Sequence, residues 1–246
     1  MTVPASAQSC DEIVAVAYKG SDRGSLTIRV NEVTLLRESS SGMANFVPPN
    51  LLLEGENTLS IELAARDGGA PTAAAEVFKG CRGEMPKDPG ENGNVLGTVA
   101  LDAPGTDSTT FTVTGLPAYS YLSAMPSDDA GLLEAVAGLV ETARNKDVDG
   151  YFAHLQPMLH DFALDDPQAP EMLRQMADYL FGQASEIVEP GALTATPVLG
   201  GRAYQVQDAE GNAPLQFALS VDNGTETLWQ AGVWMKTADG WKVLRH

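Results

Sequence analysis

The sequence predicts two folded units of different class: an all-β antiparallel sandwich, then an α+β unit in which three helices precede an antiparallel meander. Three observations carry this. Through residues 13–114 apolar and polar residues alternate in short runs between breaks rich in Gly, Pro, Asp and Ser, the period of half-buried strands. Between 132 and 181 apolar residues recur every three or four positions, the period of amphipathic helices. Beyond 193 the alternation returns, punctuated by Asn-Gly and Asp-Gly pairs, and all three tryptophans (Trp229, Trp234, Trp241) fall there. The boundaries that follow are 8–117 for the sandwich, 118–128 for a linker and 129–246 for the α+β unit.

Seven short strands are expected in the first unit: Ile13–Tyr18, Ser25–Val30, Val33–Leu36, Leu59–Leu63, Ala74–Phe78, Val95–Leu101 and Thr109–Thr114. Leu26, Ile28 and Val30 share one face of their strand, as do Leu59, Ile61 and Leu63 of theirs. The breaks at 67–71, 85–94 and 103–108 supply turn residues, and no helical pattern interrupts the series, so the strands form an antiparallel sandwich. Cys10 and Cys81 bracket the region. In an exported protein they would pair, closing a loop worth about 4 kcal/mol in the chain-entropy account; two unrelated buried thiols are the alternative. Ala5-Ser-Ala7 has the small-x-small form that ends a secretory signal, so the chain reads as secreted or periplasmic with its leader largely removed. A short native N-terminus fits the same residues.

Ile28-Arg-Val-Asn-Glu-Val33, a polar loop, and then Phe46 to Leu63 with Glu54-Gly-Glu-Asn57 at its centre resemble the jelly-roll, galactose-binding-like domains that accompany many glycosidases. The resemblance implies a fold, with Gly55 and Asn57 in a tight reversal and Leu59, Ile61 and Leu63 facing the core. It does not imply sugar binding, because Phe46 is the one aromatic residue in the segment.

Residues 118–128 read as the linker and Ser127-Asp-Asp129 as the N-cap of the first helix. Leu132, Leu133, Val136, Leu139, Val140 and Ala143 mark that helix; Phe152, Leu155, Leu159 and Phe162 mark the second; Leu173, Met176, Leu180 and Phe181 mark the third. Strands follow at Leu193–Leu199, Arg202–Gln207, Leu215–Val221, Glu226–Lys236 and Trp241–Arg245, joined by turns at 208–212, 222–224 and 238–240. Three helices and a meander ending in Asp239-Gly-Trp-Lys-Val-Leu-Arg-His246 resemble the nuclear transport factor two-like superfamily, which includes ketosteroid isomerase and polyketide cyclases and shares the cystatin-like cone. The resemblance implies a curved sheet that wraps the helices and leaves a cone-shaped apolar pocket.

Enzymes of that superfamily aim a carboxylate or histidine into the cone as general base, with a tyrosine or protonated acid at the oxyanion. Here the strand interiors offer Gln205, Gln207, Gln216, Ser220 and Gln230, while Asp208, Asp222 and Asp239 fall in turns, so no strand acid is expected inside. An isomerase- or cyclase-type enzyme would rely on His154 with Tyr179 or Tyr204; His160 is the other base on the same helix. A ligand pocket would be lined by Phe152, Met158, Tyr179, Tyr204, Gln230 and Trp234. Trp234 is the best placed, because Gln230 and Gly232 share its parity along one long strand; a filled core explains the same side chains.

Residues 145–156 resemble a calcium-binding EF-hand loop, with Asn145, Asp147 and Asp149 at the first, third and fifth positions and Gly150 at the sixth. Gln156 stands where the bidentate acid belongs. The other reading is a helix-to-helix turn with Asp149 capping the second helix. No nucleophile elbow, Gly-rich phosphate loop or zinc spacing occurs, and no cofactor is expected.

Fifteen Lys and Arg against 33 Asp and Glu give −18, shared as −8 over 1–128 and −10 over 129–246. That field repels phosphate backbones and anionic lipid, so nucleic acid is not an expected partner. No apolar run approaches the roughly 18–20 residues of a membrane span, so no membrane insertion is expected. The combined expectation is a non-enzymatic exported protein whose disulfide-tied sandwich is joined to a cone that holds a small apolar molecule or a segment of another protein. The other two readings are the isomerase or cyclase and an interaction or inhibitor module of the cell envelope.

Overall fold

The computed structural model describes residues 10, 12–20, 23–38, 44–47, 51–66, 68–82, 84–85, 87–221 and 224–245. Ala5-Ser-Ala7, read as the end of a secretory signal, and the first two residues of the turn expected at 222–224 lie outside them. The chain divides between Thr114 and Gly115 into two compact units.

Among its described residues the first has eight strands: β1 (Glu12–Gly20), β2 (Gly24–Val30), β3 (Val33–Glu38), β4 (Ala44–Phe46), β5 (Gly55–Ala65), β6 (Ala73–Cys81), β7 (Val95–Leu101) and β8 (Gly105–Val113). They form two antiparallel sheets, ordered β4-β1-β6-β7 and β3-β2-β5-β8. In the second sheet the alternation of the sequence is read out directly. Leu26, Ile28 and Val30 lie opposite Leu63, Ile61 and Leu59, and all six are buried. In the first sheet β1 is buried on both faces, because Val14 and Val16 point one way while Ala15 and Ala17 point the other. Residues 87–94 lie against the second face. The Gly90 N–H donates to Glu76 Oε2 at 2.7 Å, and Lys19 Nζ meets Asp88 at 2.6 Å. Cys10 and Cys81 form a disulfide across 71 residues.

Asn31 and Asn57 each have a definite task. Asn31 and Glu32 close the β2–β3 hairpin with φ of 49° and 68°, the left-handed pair of a type I′ turn. Asn57, expected in a reversal, lies inside β5 with its side chain buried. Its Oδ1 accepts from Leu53 N–H at 2.7 Å and Asn31 Nδ2 at 2.8 Å, and its own Nδ2 donates to the carbonyls of Leu53 and Gly55 at 2.8 and 2.9 Å. Asn31 Oδ1 in turn accepts from Thr58 N–H at 2.9 Å. The reversal itself is made by Gly55, at φ 94°.

The second unit holds four helices, α1 (Leu132–Arg144), α2 (Val148–His154), α3 (Gln156–Asp165) and α4 (Ala169–Gln183). Seven strands follow: β9 (Ala184–Val188), β10 (Thr194–Val198), β11 (Ala203–Gln207), β12 (Leu215–Val221), β13 (Gly224–Gln230), β14 (Val233–Thr237) and β15 (Gly240–Arg245). The second expected helix is two, parted at Leu155, because Pro157 in the first turn of α3 has no N–H to continue the ladder of α2. The cap of α1 is Gly131 at φ 76° rather than 127–129, since Asp128 is drawn instead to Lys236 Nζ at 3.2 Å. The strand expected over 226–236 breaks where Ala231 adopts φ 64°. Its halves lie in different sheets, β13-β12-β9 and β10-β11-β14-β15. The expected turn at 208–212 is present, the Asp208 carboxylate collecting the N–H groups of Glu210 and Asn212 at 3.0 and 2.8 Å.

Residues 118–128, read as a linker, belong to this unit. They carry a single 3-10 turn, Ser120–Ser123, and bury Tyr119 and Tyr121. Ser120 donates both its N–H and its Oγ–H to Asp161 Oδ1 at 2.8 Å, and Tyr119 donates to Asp165 at 2.5 Å. One core holds the unit together, built from Leu132, Val136 and Leu139 of α1, Tyr151 and Phe152 of α2, Phe181 of α4, and Phe217, Trp234 and Trp241 of the strands.

Candidate functional site

The residues expected to line a cone pocket divide into two groups. Phe152, Met158, Tyr204, Gln230 and Trp234 are buried and Tyr179 is exposed on α4. Three of the buried five have their polar groups already hydrogen-bonded within the unit. Trp234 Nε1 donates to the Ala231 carbonyl at 2.6 Å, Gln230 Oε1 accepts from Tyr151 Oη at 2.6 Å, and Tyr204 Oη donates to the Ser127 carbonyl at 2.8 Å. The break at Ala231 separates Gln230 from Trp234, so the parity argument that joined them does not hold.

The three residues named for proton chemistry are placed apart in kind. His154 packs edge-on against Trp234 with ring centroids 6.5 Å apart, and burial together with the nearby Lys242 ammonium holds its pKa below the usual histidine value. Tyr204 is tied to Ser127, and the Tyr179 ring faces solvent. Among the described residues of this unit the one fully buried acid is on a helix, where strand reasoning did not look: Asp161 of α3, whose Oδ2 meets no hydrogen-bond donor there. Its signal was available in the sequence, because Asp161 stands three residues after Met158 and one before Phe162, on the apolar side of the helix. Its geometry is that of an anchor. Oδ1 holds both donors of Ser120, with His160 Nδ1 at 3.2 Å, and burial with the Asp165 hydrogen bond pushes the Tyr119 phenol pKa well up.

The EF-hand-like residues are each engaged locally. Asp147, not Asp149, caps α2 by accepting the Gly150 N–H at 2.9 Å. Asp149 meets Arg174 at 3.1 Å, and Asn145 donates to Glu141 at 3.1 Å. Among the described residues no group of three His, Cys, Asp or Glu side chains is arranged to hold a metal ion.

A cleft of about 390 Å³ lies in the first unit, between the second face of β1 and β6 and the segment that covers it, beside the disulfide. Its volume is within the usual range of small-ligand sites, roughly 300–1,000 Å³. Ile13, Ala15 and Phe78 give it an apolar floor. Phe78 and Ala15 sit opposite each other in the β1–β6 ladder, which is why a ring and a small side chain together leave a hollow. At the rim, Lys79 is paired with Glu12 at 2.6 Å. Lys87 is fixed by its backbone, because Asn92 accepts its N–H at 2.9 Å and donates to its carbonyl at 3.0 Å. Two lysines and two glutamates (Glu12, Glu84) line the cleft, so it is balanced in a chain that is otherwise strongly acidic. Sequence reasoning missed it because it arises from a long break lying on a sheet face, a contact no local pattern records.

No protein-family profile, curated protein or solved structure matches this chain. The two superfamily resemblances rest on the residues quoted for them.

Proposed function

We propose that this chain is an exported, non-catalytic binding protein, and that its ligand is a small amphipathic molecule held in the cleft beside the Cys10–Cys81 disulfide. On this reading the first unit is a jelly-roll-type sandwich and the second a cystatin-like cone whose interior is filled by its own side chains. The observation that carries it is the cleft's lining, an apolar floor of Ile13, Ala15 and Phe78 under a rim with both signs of charge. Apolar floors supply affinity and a few fixed polar groups supply orientation. The disulfide is in keeping with an oxidising compartment. Among the described residues no helix is long and apolar enough to cross a membrane.

The test uses 8-anilinonaphthalene-1-sulfonate, whose rings suit the floor and whose sulfonate suits Lys87. Gly93 lines the cleft, and a Cβ there would meet no atom within 4 Å, so Gly93→Trp brings a large ring to the cleft with no clash at its Cβ. Saturable fluorescence enhancement with the native chain and its loss in Gly93→Trp are expected. Equal enhancement in both proteins would remove the cleft as the site.

A further inference from the structure

Helix α4 turns an apolar stripe to solvent. Met172, Met176 and Tyr179, spaced i, i+4 and i+7, are 52%, 43% and 61% exposed, while Ala177, Leu180 and Phe181 of the same helix enter the core. Three large apolar side chains in one exposed row are not what solubility asks of a surface helix. The next row round the helix is Glu171, Gln175 and Asp178, all exposed, with Gln175 Nε2 donating to Glu171 at 3.1 Å. At the end of the preceding helix Leu164 is exposed too, followed by Asp165 and Asp166.

Along the chain on either side of this stripe the charge is predominantly negative. From 147 to 201 the sequence has nine acids and one basic residue besides histidine, Arg174. Arg174 is not free to neutralise the rim, since it bonds Asp149 at 3.1 Å and lies 4.6 Å over the Phe152 ring, both on α2. A second copy of the chain would set acid rim against acid rim at −18 per chain. We infer that this face of α4 docks a basic amphipathic helix of a partner protein, its apolar side on Met172, Met176 and Tyr179 and its lysines or arginines against Glu171 and Asp178. The stripe is about 10 Å long, two helical turns, the length over which a partner helix presents its own i, i+3/i+4 and i+7 anchors. Unbranched methionines adapt to partners of differing shape, which suits recognition by charge pattern and amphipathicity. This surface is independent of the cleft.

The probe is a fluorescein-labelled 18-residue Leu/Lys peptide with helical amphipathicity, read by anisotropy at 150 mM salt. Its controls are a Leu/Glu counterpart and a Leu/Lys peptide of scrambled order. Saturable binding of the amphipathic Leu/Lys peptide alone is expected. Met176→Ser with Tyr179→Ser should weaken it about tenfold or more. Met125→Ser, at a methionine 79% exposed outside α4, should leave it unchanged. Glu171→Gln with Asp178→Asn should both weaken binding and flatten its salt dependence. Single Met172→Ser and Tyr179→Ser variants read the same stripe if the double variant loses helicity. Binding that survives the stripe substitutions, a scrambled peptide that binds as well, no saturable binding at all, or a native dimer that the double variant converts to monomer would each overturn the inference.

Discussion

Replacing Asn57 by alanine tests whether the buried amide pair secures the first unit. The native side chain makes four hydrogen bonds, two accepted and two donated, and is 1% exposed. Three of its partners are backbone groups of Leu53 and Gly55, and the fourth is the Asn31 amide, which keeps its bond to the Leu51 carbonyl at 2.6 Å. At about 1 kcal/mol net per buried bond, and with backbone groups left unsatisfied, the loss should be about 4 kcal/mol. For a unit of this size that is a fall in Tm of roughly 15–25 °C. Asn57→Asp separates hydrogen bonding from shape. An ionised oxygen would face the carbonyls of Leu53 and Gly55, so this variant should be as unstable as the alanine at neutral pH. Its folded pKa would stand above the unfolded value near 3.9, so stability should return as pH falls through that raised value, a recovery alanine cannot show. Urea-dependent amide exchange over β2 and β5 reads the first unit. All three tryptophans lie beyond 115, so their emission reads the second. A cost under about 1 kcal/mol for Asn57→Ala, or no acid recovery for Asn57→Asp, would refute the reasoning.

Glu32 holds φ 68° in the β2–β3 turn, where glycine is the preferred second residue, so Glu32→Gly should raise stability by about 0.5–1 kcal/mol in calorimetry; a lower Tm would contradict that. Burial first, and Lys242 second, depress the His154 pKa, so below about 6.5 the unfolded chain takes up a proton that the folded chain resists. The stability this contributes is present above that pH and lost as pH falls. The Tm drop between pH 7.5 and 5.5 should therefore be smaller in His154→Gln than in the native chain, and equal drops would rule out His154 as the source.

The strands of the first unit were legible because burial follows parity there, as in β2 and β5. The exceptions are instructive. β4 is three residues long and pairs with β1 at Ala15–Ala17, a length at which alternation carries no information. The break at Ala231 was invisible, since alanine gives no hint of a left-handed backbone. Pro157 is a helix-breaking signal, yet the apolar period runs across it from Phe152 to Phe162 and hides the division. Asp161 and the cleft share a cause. Each depends on a distant segment lying where it does, residues 119–121 against α3 and residues 87–94 against β1 and β6, and periodicity describes only the element in which it occurs.

The bond between Ser120 and Asp161 has a practical corollary for dissecting the chain. A fragment begun at 129 would keep all four helices and seven strands of its half, yet strip away Tyr119, Ser120 and Tyr121. It would leave the Asp161 carboxylate with both donors of Ser120 gone, and would remove two buried tyrosines along with them. Such a truncation invites hydration of the helix interior, so the scissors belong before Gly115.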